Sequence, residues 1–271
     1  MRLVFQPVWD LAEWRVGYCE ALLRWEHPTL GALSPGEFIP LAEASGEIDA
    51  LGHWVLEQAA REAVRWPSMV SVSVNLSPAQ LRAPGLPARV ERVLRRTGLA
   101  PERLCLELTE GLMIADADEA ASMLRRLRGR GIGLWLDDFG TGHASLAILR
   151  RLPFGKIKID RGFIAPLGTD GHAEAVLAAI LALARAFGLG VVAEGVETGA
   201  QLAILRRLGC GAVQGYLTGA PMEPAAIRAL LAQGAAAPRA DVVASAGARV
   251  IDFAAAAPWL RRSATRPGAC G

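Results

Sequence analysis

Short apolar, β-branched runs recur along the chain, with stretches of helical period between them. The runs Leu3–Trp9, Val16–Trp25, Val70–Leu76, Leu104–Thr109, Ile132–Asp138, Lys156–Asp160, Gly190–Glu194 and Ala212–Leu217 read as strands. Helical patterns fill the gaps at about 48–66, 87–97, 117–130, 143–151, 172–187, 198–208 and 223–233. The first long helical stretch opens at Ser34-Pro35-Gly36-Glu37, a capping box with proline at the first helical position. Eight strands alternating with helices predict a (β/α)8 barrel. One connection departs from that plan. Only Asp10 to Arg15 joins the first two strands, and a parallel crossover needs about a dozen residues or more. The first two strands are therefore predicted to be an antiparallel hairpin, making the barrel irregular.

No internal repeat or interdomain linker interrupts this pattern. After Gln233 the sequence becomes rich in Ala, Pro and Arg with weak periodicity. The expected organisation is a barrel over residues 1–233 and a tail over 234–271, with a short helical pattern near Val250–Ala257. The apolar stretch Val176–Ala184 is flanked by Glu174 and Arg185 and is too short to span a bilayer, so it reads as a core-facing helix.

Composition narrows the function classes. Of 271 residues, 52% are hydrophobic and 21% charged, which excludes a disordered chain. A chain of this length buries about three-quarters of its unfolded surface and needs no covalent staple. Basic and acidic residues number 29 and 27, a net charge of +2. A nucleic-acid polymer is therefore not an expected partner. Cys19, Cys105, Cys210 and Cys270 have no metal or redox spacing. With no signal peptide, they predict reduced thiols in a cytoplasmic protein. The chain has 27 arginines but only two lysines, Lys156 and Lys158, and a single asparagine, Asn75. Both types are disfavoured in strands, so chemistry explains their survival there better than chance.

The candidate chemistry lies at the C-terminal ends of the strands, where barrels carry their active sites. Glu20 lies in the second strand, Asn75 ends the third, and Glu107 and Glu110 end the fourth. Asp137 and Asp138 end the fifth, Lys158 and Asp160 lie on the sixth, Glu194 ends the seventh, and Gln214 lies in the eighth. Any one of these could be a strand-end cap or a surface charge; so many at equivalent positions could not. Converging carboxylates repel one another unless a cation neutralises them. The ligand set is hard: carboxylates and one amide oxygen, with no thiolate or histidine cluster. That suits Mg2+ or Mn2+. Adjacent Asp137 and Asp138 suit two ions with one bridging carboxylate, the arrangement that clamps both oxygens in phosphoryl transfer. Lys158 adds a compact positive charge near the nucleophile or the phosphate. His27, His53, His143 and His172 show no ligand spacing and read as structural, and the seven tryptophans read as core.

Together these residues resemble the EAL-domain phosphodiesterases of bacterial cyclic di-GMP signalling. The motifs run from Phe5-Gln6-Pro7 through Glu20-Ala21-Leu22-Leu23-Arg24-Trp25, Val74-Asn75-Leu76-Ser77 and Glu107-Leu108-Thr109-Glu110. They continue with Asp137-Asp138-Phe139-Gly140-Thr141-Gly142, Lys158-Ile159-Asp160, Ala193-Glu194-Gly195-Val196-Glu197 and Gln214-Gly215-Tyr216, ending at about Pro224. The resemblance implies that Glu20, Asn75, Glu107 and Asp137 hold one metal, and that Asp137 bridges to a second held by Asp138. It implies that Glu194 assists the second ion or its water, or acts as base, and that Lys158 orients and helps activate the attacking water. Glu110 would brace the loop after the fifth strand, and Gln214 would position water or site groups. Arg24 would pair with a substrate phosphate, and Gln6 and Asp160 would contact substrate or support the site. The implied reaction is metal-assisted hydrolysis of cyclic di-GMP to linear pGpG by a homodimer.

Two segments depart from the family pattern. Gly142-His143-Ala144-Ser145-Leu146 stands where Gly-Tyr-Ser-Ser-Leu is usual, in a loop that couples the metal site to the dimer interface in family members. Thr218-Gly219-Ala220-Pro221 lacks the basic residue common before that proline. The chain opens almost at its first strand, so no input domain is expected before it. Two other readings stand beside the enzyme. One is a non-catalytic cyclic di-GMP receptor. The other is an enolase-like barrel, suggested by Lys156-Ile157-Lys158, although there the lysine pair precedes the metal carboxylates.

Overall fold

The computed structural model describes residues 1–83, 85–110, 117–141 and 146–233. The strands among them are β1 (Arg2–Asp10), β2 (Arg15–His27), β3 (Gly31–Leu33), β4 (Ser71–Asn75), β5 (Leu104–Thr109), β6 (Gly133–Phe139), β7 (Lys156–Ile159), β8 (Gly190–Ala193) and β9 (Ala212–Val213). The helices are α1 (Pro35–Ser45), α2 (Ile48–Ala63), α3 (Pro78–Arg82), α4 (Leu86–Thr97), α5 (Ala117–Arg128), α6 (Leu146–Arg151), α7 (Arg161–Ile164), α8 (Ala173–Ala186), α9 (Gly199–Arg207) and α10 (Pro224–Ala232). Eight strands close into a barrel in the order β1-β9-β8-β7-β6-β5-β4-β2, and the β1–β2 pairing completes the ring. Neighbours from β2 round to β9 are parallel. Strand β1 runs antiparallel to both β2 and β9. The expected irregular (β/α)8 barrel is thus the observed one.

The short first connection works as a turn. The Asp10 carboxylate accepts the backbone N–H groups of Ala12 and Glu13 at 2.9 Å each, an Asx-type closure. Trp14 takes a left-handed φ of 48°. Its ring meets Trp9 at 5.4 Å and lies under the Arg206 guanidinium at 4.1 Å, anchoring the hairpin to α9. Strand β3 was not legible in the sequence. Its three residues pair with Trp25, Glu26 and His27 outside the barrel sheet. His27 has the structural role expected of it, because its Nδ1 accepts the N–H groups of Thr29 and Leu30 at 3.3 Å.

The eighth barrel strand is shorter than its hydrophobic run. It ends at Val213, yet the chain stays bound to β8: Gln214 N–H donates to Ala193 and Val196 N–H donates to Gln214. Gly215 permits this, since a Cβ there would lie 2.2 Å from the Val196 carbonyl oxygen. The helix read around Val176–Ala184 is α8, which buries Leu177, Leu181 and Ala184. Among the described residues no helix is long and apolar enough to cross a membrane. Cys19, Cys105 and Cys210 are buried free thiols, and burial pushes Cys105 to about 12 and Cys210 to about 11. Cys270, the Val250–Ala257 pattern and the rest of the tail lie outside the described residues.

Inside the barrel the side chains are layered. Val8, Cys105, Trp135, Val192 and Ala212 form a buried cluster with Tyr18 packed against it. Tyr18, Cys105, Trp135, Lys156, Val192 and Ala212 each precede a candidate site residue by two positions. A period of two keeps both on one strand face, so an apolar layer underlies the polar one.

Candidate metal centre

The strands bring eight of the predicted side chains to one mouth. Lys158 is 1% exposed and forms its hub. Its Nζ lies 2.7 Å from Glu107, 3.2 Å from Glu20, 3.2 Å from Asp137 and 2.6 Å from Glu194. Glu20 also accepts Asn75 Nδ2 at 2.8 Å and Gln214 Nε2 at 2.7 Å. Oxygens of Glu20, Glu107 and Asp137 lie within 4.8 Å of one another, as do those of Asp137, Asp138 and Glu194. Asp137 belongs to both groups. Successive strand residues normally face opposite sides, so a straight β6 would send Asp138 away. Instead the β6–β7 register shifts between Leu136 and Phe139, and Asp138 adopts φ 53°. This irregularity turns both aspartates to the same site.

The electrostatics are out of balance. Five carboxylates and one ammonium leave a formal charge of −4. Burial works against a charged Lys158, but the facing carboxylates outweigh it and raise its pKa well above the usual value. Burial likewise opposes ionised Glu20; the Lys158 charge and the bonds from Gln214 and Asn75 win, and its pKa falls. Burial, then repulsion from Glu20, drives Glu107 well above the carboxylate range. Burial takes Glu194 to about 7, and burial with the Asp137 charge raises Asp138. One Glu107 oxygen, Oε1, is buried without a hydrogen-bond partner. A buried carboxylate oxygen of this kind calls for a cation. The donors are all hard, so the residues present fit Mg2+ or Mn2+.

The sequence matches the EAL domain family over residues 1–221. The chain belongs to that family. It is 47% identical over 207 residues to the bifunctional diguanylate cyclase/cyclic di-GMP phosphodiesterase MucR of Pseudomonas aeruginosa, covering 75% of this chain and 30% of that protein. The first curated relatives it matches are all longer, and it spans 27–30% of their length. A solved structure of the MucR phosphodiesterase in complex with c-di-GMP superposes with a TM-score of 0.78 at 44% identity, covering 83% of this chain and 93% of that one. The calcium/cy-diGMP complex of BlrP1 from Klebsiella pneumoniae does so at 0.72 and 30% identity, covering 82% and 55%.

In this EAL domain the remaining predicted residues surround the centre. Gln6 is paired with Glu20 across β1 and β2. Its amide bridges the Gly219 carbonyl at 3.0 Å and Gln214 at 3.1 Å, so it buttresses the centre from outside. The Gly219 carbonyl serves this bridge in the segment that departs from the family pattern. Asp160 caps α7 by accepting Gly162 N–H at 2.8 Å and also lines the cleft. Arg24 is not in the Lys158 cleft. It donates to the Leu23 carbonyl at 2.9 Å and lines an adjoining groove with Asn75 and Asp138. The sequence reading did not single out Tyr216 and Arg161, which also line the cleft; Tyr216 stood within a quoted motif and Arg161 beside another. His143 and Ala144 lie outside the described residues.

Glu110 accepts Gly140 N–H at 2.6 Å, holding the turn after Asp138. Gly140 has φ 97°, and a Cβ there would lie 2.5 Å from the Phe163 ring. Gly140→Ala is expected to cost about 1–3 kcal/mol in chemical denaturation, as strained backbone typically does, and to displace the aspartate pair. Unchanged stability would show that this turn tolerates a side chain.

Proposed function

We propose that this chain is a metal-dependent phosphodiesterase that hydrolyses cyclic di-GMP to linear pGpG. The observation that carries the reading is the gathering of five carboxylates and two amides around a single buried ammonium at the barrel mouth. The kinship with MucR, and the c-di-GMP in its solved complex, supports the substrate. Glu20, Asn75, Glu107 and Asp137 would hold one Mg2+ or Mn2+, and Asp137, Asp138 and Glu194 a second. Two such ions would supply positive charge for the phosphate and an acidified water.

The chain's own residues set the geometry. Lys158 Nζ fixes the carboxylate cluster and faces the attacking water. Glu194, raised towards neutrality, borders the same cleft and is suited to taking that water's proton. Gln214 and Gln6 hold Glu20 in place, and Arg24 in the adjoining groove presents a guanidinium to a phosphate. The water oxygen joins phosphorus, the bond from phosphorus to a ribose 3′ oxygen breaks, and the proton ends on that released oxygen.

Incubation of the purified chain with cyclic di-GMP and Mg2+ or Mn2+, followed by chromatography, tests this. pGpG formed with metal and absent in EDTA supports the enzyme. Tight binding with no product would make the chain a receptor instead. The reading includes a homodimer, which sedimentation at twice the chain mass would support and a single-chain mass at all concentrations would remove. It includes a cytoplasmic location, consistent with the buried free thiols. It also assigns the barrel to residues 1–233 and leaves 234–271 outside the chemistry. Truncation after Gln233 is expected to leave hydrolysis within a few-fold, and a folded truncation without turnover would overturn that division.

A further inference from the structure

Lys156, one of only two lysines, has no part in the metal centre. It lies two residues before Lys158 at the start of β7, facing the opposite, N-terminal mouth. Its ammonium lies 4.1 Å from the Tyr18 ring centre and 4.9 Å from that of Trp135. Among the described residues it forms no ion pair or hydrogen bond. The cavity it lines measures about 530 Å³ with its open mouth and includes Asp10, Arg15, Tyr18 and Ser71. These residues mark the β1–β2 turn and the starts of parallel strands, which places the cavity at the far end of the barrel from the acidic cluster.

The cavity has a surplus of positive charge and of donors. Arg15 gives its Nε to Glu13, yet its Nη1 is buried without a hydrogen-bond partner. Arg128 adds a third cation acting on Tyr18. Against these stands Asp10, whose Oδ1 is already bonded to the turn. The Tyr18 hydroxyl is a further donor in the lining, and burial lowers the Lys156 pKa. A desolvated cation and an unpartnered buried N–H both gain from an anion.

We propose that the N-terminal mouth of the barrel binds a small oxyanion of the phosphate class between Lys156 and Arg15, with the hydroxyls of Tyr18 and Ser71 as further donors. This site is independent of the hydrolytic reading and stands or falls without it. The opposite reading is that Lys156 is only an ammonium packed on two aromatic rings, which would leave phosphate without a site.

The test is calorimetric titration of the metal-free full chain at fixed ionic strength. Inorganic phosphate is the probe, with a nucleoside 5′-monophosphate in a parallel arm. Saturable one-to-one binding is expected, weakened at least ten-fold in both Lys156→Gln and Arg15→Gln. It should be unchanged in Asp138→Asn, at the other mouth. If Lys156→Gln does not fold, Arg15→Gln carries the test, because that side chain is 41% exposed and less engaged in packing. Equal binding of both probes would show that the phosphate group alone is read, and binding of the free ion alone would show that the mouth excludes esters; both support the site. Binding of neither probe, or binding that Arg15→Gln and a folded Lys156→Gln leave intact, would overturn it.

Discussion

Lys158→Arg is expected to lower kcat by on the order of 10²-fold or more, with little change in KM. The charge is conserved, so a purely electrostatic role would survive the change. The space would not. Lys158 is 1% exposed, and its Nζ sits within 3.2 Å of four carboxylates. A planar guanidinium is larger, and it is never deprotonated in this range. Fitting it would force the carboxylates apart and shift the cation from the place where, on the proposed function, it would orient the attacking water. Overpacking a buried site of this kind typically costs about 1–3 kcal/mol, so the folded fraction must be measured beside the rate. Lys158→Met probes the charge itself: five carboxylates would then face no cation. Breaking a buried ion cluster in this way destabilises by about 3–5 kcal/mol, and Mg2+ should recover much of that loss. Lys156→Arg is the control, since its ammonium packs on Tyr18 and Trp135 outside the metal centre; it should alter stability more than rate. Near-wild-type turnover in Lys158→Arg, with substrate and metal saturating, would remove this lysine from the catalytic machinery.

The barrel was legible because parallel strands buried on both faces read as continuous apolar runs. The hairpin was legible because the Asp10–Arg15 connection is shorter than any crossover. Elements of three to five residues, β3, α3 and α7, escaped because they are shorter than the window over which periodicity can be counted. The run Ala212–Leu217 overstated the last strand, since beyond Val213 only Gln214 and Leu217 hold to Ala193 and Val196, by isolated backbone bonds outside a regular ladder. The polar row at strand ends pointed to the site, but its convergence was not written in residue order. Adjacent Asp137 and Asp138 would diverge on a regular strand; the register shift and the left-handed φ of Asp138 bring them together. Arg24, which the resemblance makes a partner for a substrate phosphate, lines a groove beside the Lys158 cleft, a placement that residue order alone does not reveal.

Chelation is expected to abolish hydrolysis and to lower thermal stability together, because one feature underlies both effects. Counted as fully ionised, five carboxylates and Lys158 sum to −4, and two divalent ions would balance that formal charge. At a free-ion concentration about 100-fold above Kd, each site adds about 2.7 kcal/mol to folding. For a domain of this size that corresponds to a rise in Tm of about 5–10 °C per site. Asn75→Ala removes the proposed neutral ligand and the hydrogen bond to Glu20. It should weaken ion binding and cost the metal-free protein only about 1 kcal/mol. Asp137→Asn separates the two roles of the cluster most cleanly. Without metal it removes one of the repelling charges and should raise Tm; with metal it removes the bridging ligand and should erase the metal-dependent gain along with turnover. Melting curves with and without Mg2+ or Mn2+ would read both signs from one variant. If Asp137→Asn lowered Tm equally in the two conditions, the aspartate would be acting as a structural partner of Lys158 and of the Asp138 backbone, and the cluster would not be a metal centre.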